Sequence, residues 1–116
     1  MTDAETENSD DAGFALSQRW WVASPDDQRS IDKAQGILAE LLREIAPRHF
    51  CYGKLEEVVA FFEASDDVLV RLTGGEYAIA HPPWSGKRER DPWPGVYVLG
   101  PREAVAREVA TWEEGW

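Results

Sequence analysis

A chain of 116 residues, 43% apolar and 29% charged, has the size and composition of one globular domain. Such a length supports a core without disulfide or metal staples, and the lone cysteine, Cys51, excludes an intrachain disulfide. A net charge of −10, from 22 acidic against 12 basic residues, disfavours nucleic acid and anionic membrane as general partners.

The charge is uneven. Residues 1–12 carry Asp3, Glu5, Glu7, Asp10 and Asp11 and no base. Residues 1–13 therefore read as a disordered acidic tail, and 14–116 as a single α+β domain. The start of the chain has neither the basic nor the apolar segment of a secretory leader, and no apolar run approaches a membrane span. The expected location is the cytoplasm.

Phe14, Leu16, Trp20 and Trp21 are too apolar to stay solvated, although the stretch from Phe14 to Ala23 fits no periodic pattern. Ser24-Pro25-Asp26-Asp27 reads as a helix start, with serine as cap, proline at the first turn and acids beside the free amides. Ile31, Ala34, Leu38, Leu41, Leu42 and Ile45 then repeat at helical spacing, with Ile37 widening the stripe. This predicts a long N-terminal helix ending near Ala46, before Pro47.

Arg48 to Lys54 is turn-rich, and Leu55 to Ala64 reads as a strand because its centre is β-branched and aromatic. Ser65-Asp66-Asp67 reads as a turn and Val68 to Leu72 as a second strand. Gly74-Gly75 is a hairpin signal, and Glu76 to His81 is a third strand stopped by Pro82-Pro83. After a loop from Trp84 to Pro94, Val96 to Leu99 is a fourth short strand. Gly100-Pro101 opens a C-terminal helix with Val105, Val109 and Trp112 on one face and a Glu103–Arg107 pair. The expected fold is a long N-terminal helix, an antiparallel meander of three to four strands and a C-terminal helix, with both helices on one face of the sheet.

Asp66-Asp67-Val68-Leu69-Val70-Arg71-Leu72, Tyr77-Ala78-Ile79-Ala80-His81, Trp84-Ser85-Gly86-Lys87 and Pro92-Trp93-Pro94 together resemble a recurrent pattern. In that group of small bacterial proteins a strand ends in histidine, followed by Trp-Ser-Gly and later by Pro-Trp-Pro. The group has no established activity, so the resemblance implies the hairpin and no catalytic residues. Pro82 and Pro83 after the histidine depart from the group's pattern.

The loop from Trp84 to Trp93 is the least ordinary segment, with Lys87, Arg88 and Arg90 between two tryptophans in an acidic chain. Tryptophan and arginine are favoured anchors of binding hot spots, and such aromatics also pin long loops to a core. His49, Cys51 and His81 are the residue types of a metal or thiol site, yet no CxxC, HExxH or second cysteine accompanies them. Neither a metal nor a cofactor is expected. Glu63, Asp66 and Asp67 read as turn acids, and Gly74-Gly75 lies between strands, which excludes a phosphate-cradling loop.

The function expected from these residues is a non-enzymatic protein-interaction domain. An acidic inhibitor, of the kind that confers immunity against a basic enzyme, is its specific form. Its binding residues would be Trp84, Lys87, Arg88, Arg90, Trp93 and His81. The alternative is a small-molecule-binding protein or minor enzyme with a pocket near His81 and Trp84.

Overall fold

The computed structural model describes residues 16–84, 88 and 95–115. The acidic tail, and Lys87, Arg90 and Trp93 of the loop, lie outside the described residues. Among the described residues, five strands and two helices follow in the order β1 (Trp20–Val22), α1 (Gln28–Glu44), β2 (Leu55–Phe62), β3 (Asp67–Leu72), β4 (Glu76–His81) and β5 (Gly95–Pro101). A 3-10 turn (Arg102–Ala104) then leads into α2 (Val105–Glu113). The strands form one sheet in the order β1-β2-β3-β4-β5, every neighbouring pair antiparallel.

The sheet has one strand more than the three or four expected. The addition is β1, where Trp20, Trp21 and Val22 pair with Phe62, Phe61 and Ala60 of β2. Aromatic and β-branched side chains suit a pleated surface, but three residues are too few to carry a period of two.

The first helix is shorter than expected, at 17 residues. Its cap is Asp27, whose carboxylate accepts the Arg29 amide at 3.1 Å. Ser24 instead closes the preceding turn, where its hydroxyl accepts the Asp26 amide at 3.3 Å and its own amide donates to the buried Ser30 hydroxyl at 2.6 Å. At the other end Ile45 is already extended, with φ −82° and ψ 118°. Ala46 precedes Pro47, whose ring bars it from the α region, so the helix ends early.

The helices cover opposite faces of the sheet, not one. On the first face Ile37 and Leu41 of α1, with Ile45, meet Val58, Val68, Val70, Leu72, Ala78 and Ala80. On the second face Val105 and Val109 of α2 meet Val59, Phe62, Leu69, Tyr77, Ile79 and Leu99. The cause lies in β3, whose Val68-Leu69-Val70 is buried at every position and so needs a cover on each side. Leu42, expected in the helix core, is exposed because the buried stripe centres on Ile37 and Leu41. Arg107 meets Glu108 at 3.3 Å, and Glu103 sits in the 3-10 turn, outside α2.

The β3–β4 hairpin matches its sequence. Three residues, Thr73, Gly74 and Gly75, separate the strands, and Gly74 and Gly75 take left-handed φ of 86° and 81°, which glycine adopts without strain. Among the described residues no helix is long and apolar enough to cross a membrane.

Two-sided burial has a direct test. Leu41→Ala and Leu69→Ala each empty a fully buried site, on opposite faces, and each lowers the unfolding free energy by about 2–5 kcal/mol in urea titrations. If Leu69→Ala unfolds at the wild-type midpoint, α2 does not seal the second face.

Candidate functional site

A row of paired residues crosses the whole sheet on the α2 face. Trp20 lies opposite Phe62, and Phe62 opposite Asp67. One step beyond the Val68–Ala80 pair, Asp67 faces His81, and His81 in turn lies opposite Gly95. The β1 end of the row is aromatic: Trp20 and Phe62 have centroids 4.9 Å apart, and Trp112 of α2 approaches them at 5.7 and 5.0 Å. The middle of the row is polar.

Asp67 is expected in a turn; it opens β3 instead, and its side chain is only 3% exposed. The turn falls one residue earlier, at Asp66, whose φ of 64° reverses the chain. One Asp67 oxygen, Oδ2, accepts the Ser65 hydroxyl at 2.6 Å, and the other, Oδ1, accepts Nδ1–H of His81. A carboxylate only accepts, so this contact places the imidazole proton on Nδ1 and leaves Nε2 with its lone pair in the neutral ring. The ring itself is 57% exposed, so Nε2 is accessible.

Beside His81, Gly95 has no side chain to fill its place in the row. The gap belongs to a cleft of about 370 Å³ lined by Asp67, Ile79, His81, Gly95, Val96, Tyr97 and Trp112. His81 is one of its walls and Trp84 is not.

Trp84 faces the other way. Its ring stands edge-on to Phe61, 6.2 Å between centroids, on the α1 side of the sheet. Phe61 pairs across the strands with Trp21, and the Lys33 ammonium of α1 sits 4.3 Å from the Trp21 ring centre and 5.3 Å from that of Phe61. Trp84 has φ of 58°, and the residue is 38% exposed. For a bulky residue that left-handed backbone costs about 1–2 kcal/mol, which its surroundings must offset. Arg88 is exposed. Spacing along the chain gives no sign that Lys33 and Trp21 meet, because their contact depends on β1 pairing with β2.

The other suspected ligands separate. Cys51 is fully buried in the α1-side core, whereas His81 belongs to the α2 face. His49 is also buried and uses Nδ1 to accept the Cys51 amide at 3.0 Å. Among the described residues no three His, Cys, Asp or Glu side chains are grouped to hold a metal ion.

Burial pushes the Cys51 thiol pKa up, and the nearby Lys54 charge offsets part of that rise. As pH climbs, the unfolded chain therefore releases this proton before the folded chain does. The contribution to stability is whole below the ordinary thiol range and is lost toward the raised folded value. Urea midpoints between about pH 8 and 10 should fall more steeply for the wild type than for Cys51→Ala; parallel curves would contradict this.

Compared with protein-family models, with curated proteins and with solved structures, the chain has no match.

Proposed function

We propose that this protein is a non-enzymatic interaction domain that meets another protein through the surface built on Trp84, Phe61, Trp21 and Lys33. The observation that carries the reading is Trp84 itself, an aromatic side chain kept partly in solvent on a left-handed backbone. A residue that only filled space would have no reason to hold a conformation so costly for its type. Strain of this kind gathers where a side chain must be presented in one orientation.

The neighbours suit the role. Phe61 supports the Trp84 ring edge-on, and Lys33 caps Trp21 and Phe61 by cation–π contact, giving a platform that is aromatic at its centre and basic on one side. Exposed Arg88 follows in the same loop, whose sequence also holds Lys87, Arg90 and Trp93. Tryptophan and arginine at the centre of a contact commonly carry most of its binding energy. The inhibitor or immunity form of the proposal draws on the chain's net charge of −10, which attracts a basic partner at long range, and not on the bases of this platform.

The test compares tagged wild-type protein with Trp84→Ala and Lys33→Ala, each verified as folded by circular dichroism, against lysate of the cells that encode it. A genuine partner is retained by the wild type, bound about thirtyfold more weakly by Trp84→Ala and unaffected by Glu103→Ala at an exposed site on the 3-10 turn. Equal retention by Trp84→Ala and the wild type would make Trp84 a structural clamp and remove this reading.

A further inference from the structure

The cleft on the α2 face is independent of the Trp84 surface, and its chemistry is specific enough to name a ligand class. We propose that it binds a neutral, planar aromatic molecule carrying a hydroxyl donor, a phenol in the simplest case. The ring would lie over Gly95 between Tyr97 and Trp112, and its O–H would donate to Nε2 of His81.

Three observations lead there. Space comes first: the cleft of about 370 Å³ lies within the range of small-molecule sites and suits a molecule of one or two rings. Gly95, opposite His81, lies on its lining without a side chain, while Tyr97 two residues on and Trp112 of α2 supply aromatic walls. Aromatic side chains favour an aromatic guest through stacked or edge-on contact. Tyr97 is 48% exposed, so its ring is available to a ligand.

The second observation is the direction of the hydrogen bonds. Asp67 is buried, fixed by Ser65 through Oδ2 and committed through Oδ1 to Nδ1–H of His81. With Nδ1 serving as donor, the neutral imidazole offers an acceptor at Nε2, and no described residue takes it up. The complementary group on a ligand is therefore a donor such as a phenolic O–H, and an ether oxygen in the same place would meet Nε2 lone pair to lone pair. This Asp-His arrangement fixes both the tautomer and the plane of the ring, so the acceptor is oriented before any ligand arrives.

Charge is the third. The buried Asp67 carboxylate lies behind the imidazole, and the whole chain carries a net −10. Both oppose an anionic ligand, and the remaining walls, Ile79, Val96, Tyr97 and Trp112, give an ammonium group no carboxylate of its own. A neutral guest fits best.

Phenol, anisole and benzoate, titrated separately into the full chain, provide the test, followed by NMR at the His81 ring and the Trp112 indole. Phenol should shift both sets of signals saturably. Anisole keeps the ring but has no O–H and should bind about fivefold more weakly, the scale of one neutral hydrogen bond. Benzoate should be weaker than phenol. Gly95→Val, which puts a side chain on the cleft floor beside His81, should abolish phenol binding, and His81→Phe should make phenol and anisole equal. The comparison of phenol with anisole needs no variant, so the test survives if either substitution disturbs folding. Equal affinity for phenol and anisole in the wild type, tighter binding of benzoate than of phenol, or phenol shifts that persist unchanged in folded Gly95→Val would each overturn the proposal. Neither proposed surface depends on the other: Trp84→Ala leaves the phenol titration unchanged, and Gly95→Val leaves partner retention unchanged.

Discussion

The burial of β3 on both sides is the constraint on which the rest of the structure depends. Val68, Leu69 and Val70 are all fully shielded from water, and consecutive residues of a strand point to opposite faces. A strand of that kind cannot lie in a sheet with one wet face. One cover must come from the amphipathic helix that precedes β2, and the other from the helix that follows β5. The positions of α1 and α2 on opposite faces are thus dictated by three residues in the middle of the chain. Each face then acquires its own surface around the helix that closes it.

The same alternation joins the two surfaces. Phe61 and Phe62 are adjacent in β2 and point apart. Phe61 supports Trp84 beside α1, and Phe62 belongs to the Trp20–Trp112 cluster beside the Asp67 end of the cleft. The cross-strand row extends this, because Phe62 pairs with Asp67, which in turn holds His81. A strand with a polar residue in place of either phenylalanine would lose the floor of one surface and retain that of the other. Two faces with different chemistry follow from one short aromatic run, Phe61-Phe62.

Much of this architecture was legible in the sequence, and the remainder was hidden for identifiable reasons. Glycine and proline mark local backbone limits, so Gly74-Gly75, Pro47 and the Pro82-Pro83 stop were readable. β4 spans the range expected from them. Facing was harder to read. Val68-Leu69-Val70 does not alternate, but that alone does not say which helix covers which side. β1 was missed because a three-residue edge strand is defined by its partner, and the cap at Asp27 was masked by the equally plausible Ser24-Pro25. The site divided in the same way. His81 and Trp84 were read as neighbours of one pocket, but three positions and two prolines carry them to opposite faces. Asp67 looked like a turn acid because its role depends on a partner fourteen residues away. Spacing along a chain does not record a pairing across strands.

That partner explains why a carboxylate can be buried here at all. An isolated charged carboxylate in a core costs several kcal/mol, and pairing it rarely gains stability over an apolar residue of equal size. Asp67 is tolerated because both oxygens are satisfied, by Ser65 from its own turn and by His81 from the next strand. An apolar pair such as valine and phenylalanine at these positions would continue the neighbouring core with less desolvation. The polar pair therefore gains the fold little that packing could not supply. What it does supply is an imidazole held in orientation by Asp67, half in solvent, in the wall of a cleft that Gly95 also lines. The position where the core departs from apolar packing is the position where the surface acquires an oriented acceptor.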